Sequence, residues 1–303
     1  MSDDWVLKYL DHLKFRNLSP RTIKSRESRL KLFRSYAAAS FSKKLSDLTI
    51  RDIEEYLTYR KPKLKPVTFA CEVALLRGFF SFLKKENRIL QNPMDSLDPV
   101  PRFDRALRDV PDEKAVLQLL AEPDEHTYHG IRDRAIMEIL YSTGIRSREL
   151  RLLEVEDVDL KDSFVMILNG KGQRQRIVPL GKRAEEALEL YLKVTRPHYL
   201  KNPNNNALFL SRWGNPLNEW AVYEILKSYA AHSKHIRGIT AHTLRHACAL
   251  HMLKGGAPIE AVQELLGHKN LHTTQIYTRL LPQDLKEIHK KFHPRERQAL
   301  TQT

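Results

Sequence analysis

TGIRSREL (143–150) sets Arg146 just after a Gly-Ile pair, at an expected helix start. Backbone N–H groups and a guanidinium in that place can both face a phosphate. A surface arginine paired with Glu149, three residues on, accounts for the same residues equally well. Lys171 lies between two glycines in NGKG (169–172), where its ammonium has no bulky neighbour and can reach into a groove; a solvated turn lysine fits there too. The stretch is not a Walker loop, because the upstream glycine and the following Ser/Thr are missing. In AHTLRHACALH (241–251), His242 and Arg245 stand three apart and share one helical face. His242 and His246 have the spacing of a zinc-binding helix. Residue 243, however, is Thr where the metalloprotease motif needs Glu, no third ligand is evident, and His246 and His251 read as packing or supporting residues. LGHKNLHTTQIYTRL (266–280) carries His268 directly behind Gly267, a good helix stop, and Tyr277 nine positions beyond His268. Taken alone, Tyr277 is an ordinary half-buried core tyrosine.

Together these side chains suit a tyrosine attacking a phosphodiester. The transition state gathers negative charge on the non-bridging oxygens, to which Arg146 and Arg245 can donate forked, permanently charged hydrogen bonds. One such preorganised donor is worth roughly 3 kcal/mol. No Asp/Glu cluster of the two-metal kind occurs in the sequence, which favours a metal-free mechanism. A phenol with a pKa of about 10 is mostly protonated at neutral pH. It needs a base or a cationic pocket to attack, and His242 is the base on this reading.

The elements that must position these residues fall into two groups. Residues 1–91 read as four short helices without a strand signal: one over 5–13, one started by Ser19-Pro20, one capped by Thr49, and one over 67–85. Lys24, Arg26, Arg29 and Lys31 surround the apolar stripe of the second. Residues 92–111 hold prolines at 93, 99, 101 and 111 among charges, which is linker composition and sets the domain boundary. Residues 112–303 read as mostly helical, with helices expected at 184–194, 219–231, 244–253, 259–266 and 273–280 and a last one after Pro282. The exception is SFVMILNGKGQRQRIVPL (163–180), two β-rich runs around Asn169-Gly170-Lys171-Gly172, which predicts a hairpin. The C-terminal segment 282–298 is amphipathic and basic. Its Leu285, Ile288 and Phe292 suit packing on this subunit or, as the favoured reading, in trans on a neighbour.

Bulk composition agrees with a polyanionic partner. The chain has 303 residues and a net charge of +14, with 42% apolar and 29% charged residues, which are globular values. Residues 1–107 hold 22 Lys/Arg against 13 Asp/Glu, net +9, so the first third is the more basic surface. Cys71 and Cys248 form no CxxC pair and read as small core residues in a reduced compartment. The N-terminus lacks a signal-peptide hydrophobic stretch, and no run is read as long enough to span a membrane, so a cytoplasmic protein without a membrane partner is expected.

Arg, Lys, His-x-x-Arg, Gly-His and then Tyr, in that order over about 130 residues, resembles the layout of the tyrosine recombinase (phage integrase) family, with its strongest likeness to the Xer-type site-specific recombinases. The resemblance covers the whole chain. LSPRTIKSRESRLKLF is similar to their core-binding helices, GKGQRQRIVPL to their β-hairpin, and QELLGHKNLHTTQIYT to their most characteristic stretch. Arg148 stands where the family usually has Ser or Gly, and residues 246–251 read HACALH where HTFATH is common; both departures fall on packing positions.

The resemblance implies a mainly α fold. A four-helix SAM-like core-binding domain (1–91) would be joined by the linker (92–111) to a mostly α catalytic domain with a small β-hairpin (112–303), forming a C-shaped DNA clamp. It implies Tyr277 as nucleophile, with Arg146, Lys171, His242, Arg245 and His268 as activating residues and Glu149 as acidic support. Lys171 would protonate the leaving 5′-oxygen, and His268 would hydrogen-bond a phosphoryl oxygen. Lys24, Arg26, Arg29, Lys31, Arg174 and Arg176 are expected DNA contacts. No cofactor or metal is expected. Expected partners are a double-stranded recombination site with inverted half-sites and a homotetramer on two sites, or a heterotetramer with a related recombinase. A DNA translocase or DNA-bending protein would be accessory, and the location nucleoid-associated. The implied role is strand exchange through a Holliday junction, either in dimer resolution at chromosome partition and cell division or in moving an element. A type IB topoisomerase shares the same attack, and a non-catalytic DNA-binding regulator can share the fold.

Overall fold

A computed structural model describes residues 4–98, 110–168, 175–232, 238–267 and 282–301. The chain divides into two compact units, Met1–Ala106 and Leu107–Thr303.

The first unit contains α1 (Trp5–Phe15), α2 (Pro20–Phe41), α3 (Ile50–Arg60) and α4 (Pro66–Lys85). Its helix starts are chemically local. The Ser19 hydroxyl accepts from the Thr22 N–H at 3.2 Å, and Thr49 and Asp52 close a reciprocal capping box. Phe33, Tyr56, Phe79 and Phe80 are fully buried, and the Phe33 ring meets Tyr56 edge-on at 4.7 Å. One carboxylate is enclosed with them. Glu72 on α4 accepts from the Tyr56 hydroxyl at 2.6 Å and from Arg60 Nε at 2.8 Å, so a buried charge has both a counter-ion and a neutral donor.

By length and composition α4 is apolar enough to cross a membrane, which corrects the expectation that no run reaches that length. Its apolar side chains are spent on this core instead, alongside the Glu72–Arg60 pair. Cys71 also corrects the sequence reading, for it lies on the exposed side of α4, whereas Cys248 is a core residue.

The second unit contains α5 (Glu113–Ala121), α6 (Tyr128–Thr143) and α7 (Ser147–Arg151), followed by a small sheet of β1 (Val158–Asp159), β2 (Phe164–Ile167) and β3 (Arg176–Pro179). Then come α8 (Lys182–Leu190), a π-helical turn (Tyr191–Thr195) and α9 (Arg196–Tyr199). The remaining helices are α10 (Ala221–His232), α11 (Ala241–Lys254), α12 (Ile259–Leu266), α13 (Pro282–Phe292) and α14 (Pro294–Thr301). β2 and β3 pair antiparallel with Val165 opposite Val178, as the hairpin signal predicts, and β1 adds a short third strand that the sequence did not announce. The hairpin tip and the helix expected over 273–280 lie outside the described residues.

The central helix is α6, buried from Gly130 to Thr143 apart from Arg134. Its charged side chains are enclosed with partners. Asp133 pairs with Arg132 at 2.7 Å, while Glu138, fully buried, is held by Arg134 at 3.1 Å and by Arg295 of α14. Helices α13 and α14 therefore dock on their own unit. Leu285 joins the core, Ile288 and Phe292 pack against it, and Glu296 Oε1 accepts from the Lys182 N–H at 2.8 Å. That replaces the favoured expectation of packing in trans for these residues. The reason is the set of polar partners on α6 and α8, which an apolar stripe read alone does not reveal.

His289 and His293 stack at 4.5 Å between ring centres, and their Nε2 atoms donate to the carbonyls of Ser142 (2.7 Å) and Tyr141 (3.2 Å). Burial pushes His289 down to about 4 and His293 well below the ordinary 6.5, the latter helped by its neighbour. An unfolded chain takes up these protons near 6.5, whereas the folded one takes up that of His289 only near 4 and holds His293 neutral well below 6.5. The unfolded state thus binds more protons in between, and stability is lost as pH falls from about 6.5 towards 4. Asp133 and Glu296, whose carboxyls are raised by burial, act in the opposite sense and offset part of the loss at the acid end. Thermal denaturation should show Tm falling over this range in the native protein and much less in His289→Gln/His293→Gln. Parallel pH profiles would refute the assignment.

Candidate active site

The site begins where α6 stops. Gly144 takes the left-handed conformation (φ 60°), and its N–H caps Leu140 O at 3.1 Å. A side chain at Gly144 would bring its Cβ within 2.7 Å of Leu266 Cδ2, so both backbone angle and space demand glycine. Ile145 is then buried, and Arg146 adopts extended backbone as the N-cap of α7.

Glu149 closes on Arg146 from both directions. Its Oε2 accepts from the Arg146 backbone N–H at 2.9 Å, and its Oε1 from Arg146 Nη1 at 2.6 Å. The carboxylate therefore occupies the start of α7 that the sequence left open for a phosphate. The Arg146 side chain keeps about a third of its surface exposed, whereas that of Glu149 is 2% exposed. Arg146 is thus paired with Glu149, as its spacing predicts, and its side chain stays partly exposed.

A second arginine meets the same carboxylate. From the first position of β3, Arg176 donates through Nη1 (3.2 Å) and Nη2 (2.8 Å) to the two Glu149 oxygens, and through Nε to Leu265 O at 3.3 Å. Read from sequence as a DNA contact, Arg176 is turned inward, with its side chain 10% exposed. Burial alone would raise the Glu149 carboxyl, but Arg176, the Arg146 N–H and the Arg146 guanidinium bring it down to about 2.

Arg245 comes from the second turn of α11, whose start is capped by Thr240 accepting from the Thr243 N–H at 3.1 Å. It is buried, with Nη1 on Gly144 O at 2.6 Å and Nη2 on Leu266 O at 2.5 Å. Burial and the positive charges of Arg146 and Arg176 lower it to about 10, which leaves it protonated at neutral pH. His242, one turn earlier on α11, is exposed, and its Nε2 lies 2.9 Å from Nε2 of His246, also exposed. One ring must donate and the other accept, so His246 supports His242 rather than packing in the core. Among the described residues, no three His, Cys, Asp or Glu side chains gather in a metal-binding arrangement.

The α12 helix ends at Gly267 (φ 63°), the expected stop. Lys171, Arg174, His268 and Tyr277 lie outside the described residues. Lys24, Arg26, Arg29 and Lys31 all lie on α2 with exposed or half-exposed side chains, and Lys31 pairs with Glu27 at 2.6 Å. The structure brings Arg146, Glu149, Arg176 and Arg245 near one another and sets His242 one turn before Arg245, and the inward orientation of Arg176 is not what the sequence predicts. Its partners are 27 and 89 residues away, and its neighbours in QRQRIV read as a plain basic strand.

Residues 110–284 match the phage integrase family, and residues 6–87 match the phage integrase N-terminal SAM-like domain. The chain is 40% identical over 286 residues to tyrosine recombinase XerD of Listeria monocytogenes, covering 92% of this chain and 95% of that protein. It is 35% identical over 295 residues to tyrosine recombinase XerD of Staphylococcus saprophyticus, covering 97% and 99%. Among solved structures it resembles XerH site-specific recombinase bound to palindromic difH substrate in a post-cleavage complex (TM-score 0.68, 22% identity, 94% of this chain and 80% of that one). It also resembles a lambda integrase (75–356) dimer bound to a COC' core site (TM-score 0.67, 18% identity, 91% and 99%). These two likenesses speak to the fold.

Proposed function

The chain belongs to the phage integrase family and is a site-specific tyrosine recombinase, and on that premise we propose that Tyr277 is its nucleophile. Arg146 and Arg245 take the non-bridging oxygens of the scissile phosphate, and Lys171, His242 and His268 complete the set. The observation that carries this reading is the cationic cluster in which Arg146 and Arg176 bond the carboxylate of Glu149 while Arg245, held by two backbone carbonyls, lies within electrostatic reach of all three. Such a cluster is preorganised for an anion and needs no rearrangement when charge develops.

In the proposed step Tyr277 Oη bonds to phosphorus as the bond from phosphorus to the 5′-oxygen breaks. The phenolic proton passes to His242, and Lys171 protonates the departing 5′-oxygen. The resulting 3′-phosphotyrosyl link conserves the phosphodiester bond, and attack by the 5′-hydroxyl of another strand reverses the chemistry without ATP. Exchange on both strands passes through a Holliday junction.

Double-stranded DNA with inverted half-sites is the proposed partner, bound by a tetramer on two sites. Residues 1–91 act as the core-binding domain, 92–111 as linker and 112–303 as catalytic domain. Lys24, Arg26, Arg29, Lys31 and Arg174 lie toward the DNA, in a cytoplasmic, nucleoid-associated protein. Support comes from the basic first third of the chain and the exposed positions on α2.

The test uses nicked suicide duplexes carrying inverted repeats selected by binding from a random pool, with a chelator present and no ATP. A covalent adduct at the 3′ phosphate, mapped by mass spectrometry to the peptide holding Tyr277, is expected, together with strands exchanged between duplexes. A strict magnesium requirement or a 5′-linked adduct would overturn the mechanism. Relaxed plasmid without exchanged strands would instead make the protein a topoisomerase.

A further inference from the structure

We propose that Arg176 is a positioning residue for strand cleavage: it offsets the charge of Glu149 and ties that carboxylate to the end of α12. The inference rests on the recombinase reading above and goes beyond it.

Charge balance is the first ground. Glu149 orients Arg146 through two hydrogen bonds, and a lone carboxylate doing so would neutralise the guanidinium that must meet the phosphate. Arg176 supplies a second positive charge to the same two oxygens in forked geometry. With Arg176 bound, two arginines share one carboxylate and Arg245 adds a third positive charge within electrostatic reach of it. Arg146 can then be held in place by Glu149 while the cluster stays net positive towards the substrate.

Placement is the second ground. Arg176 Nε takes the carbonyl of Leu265, and Arg245 takes that of Leu266, so two arginines from different elements hold the last two carbonyls of α12. The Arg176 chain also runs against the turn that follows: a Cβ at Gly267 would lie 3.0 Å from Arg176 Cδ. One side chain thus links β3, α7 and the point where the chain leaves α12 for His268. Three of the five Arg176 N–H groups are committed in this way, and the side chain is only 10% exposed, so it is placed to hold Glu149 rather than to reach a DNA phosphate.

The two roles, DNA contact and positioning, separate experimentally. Single-turnover cleavage of saturating suicide duplex should fall roughly a hundredfold in Arg176→Gln, the scale of a small misplacement of reacting groups. Duplex affinity and its salt dependence should stay as in the native protein, because no phosphate contact is lost. In Arg176→Gln/Glu149→Gln the rate should be no lower than in Glu149→Gln alone, since both changes remove one arrangement. Circular dichroism and Tm check that each variant is folded, and Arg176→Lys, which keeps charge but loses the fork, should recover only part of the rate.

Weakened binding with a salt slope reduced by about one counter-ion would show a direct DNA contact and overturn the proposal. Independent, additive losses in the double variant would overturn it as well. If the native protein forms no adduct, the recombinase mechanism itself fails. If it does and Arg176→Gln cleaves at the native rate, only the role of Arg176 falls.

Discussion

Tyr277→Phe is expected to leave DNA binding unchanged and to remove the covalent adduct entirely, a loss of at least roughly 10⁴-fold in cleavage. Phenylalanine retains the ring and loses only the oxygen that bonds to phosphorus, so packing changes little. The described tyrosines whose phenols burial raises most are poor substitutes. Burial pushes the Tyr191 phenol up to about 12, and its hydroxyl is committed to Leu208 O at 3.1 Å. Burial also raises Tyr56, Tyr141 and Tyr229; Tyr56 donates to Glu72, and Tyr229 donates to Asp133 at 3.1 Å. Such phenols keep their protons. The decisive measurement is a denaturing gel of protein and labelled suicide duplex. A slow-migrating adduct persisting in Tyr277→Phe sends the search to another nucleophile.

Arg245→Ala should damage both activity and folding, and the two losses have different origins. Removing one preorganised donor to the transition state costs on the order of 10²–10³ in rate. The same truncation strands the carbonyls of Gly144 and Leu266, which the guanidinium holds at 2.6 and 2.5 Å in a buried setting. An orphaned buried acceptor costs about 1–3 kcal/mol, so a clear fall in Tm is expected as well. Arg245→Lys separates the effects. An ammonium restores the charge and reaches one carbonyl, so Tm should recover in part while the rate stays low for want of the planar fork. A lysine variant that cleaves at the native rate would show that Arg245 acts by charge alone.

Arg146 and Glu149 show what local chemistry makes legible. Their three-residue spacing predicts the pair, and the structure adds the backbone N–H as a third participant. The same holds for the helix starts at Ser19 and Thr49 and for the stop at Gly267, because a cap is completed within a few residues of itself. Helix α6 escaped the pattern of apolar stripes. It is enclosed on nearly every side and carries Arg132, Asp133 and Glu138 into the core, so periodic contrast is absent.

The sequence by itself determined the family, since residue types and their order match the layout of the tyrosine recombinases. It also determined the local turns that start and stop the helices. Tertiary structure alone decided which way Arg176 faces, that Arg245 binds carbonyls 101 and 21 residues away, and that the described C-terminal helices dock on their own unit. The physical reason is one of range. Caps and i,i+3 pairs are satisfied within a single turn, whereas a buried charge finds its partner only when distant elements close around it and water is gone.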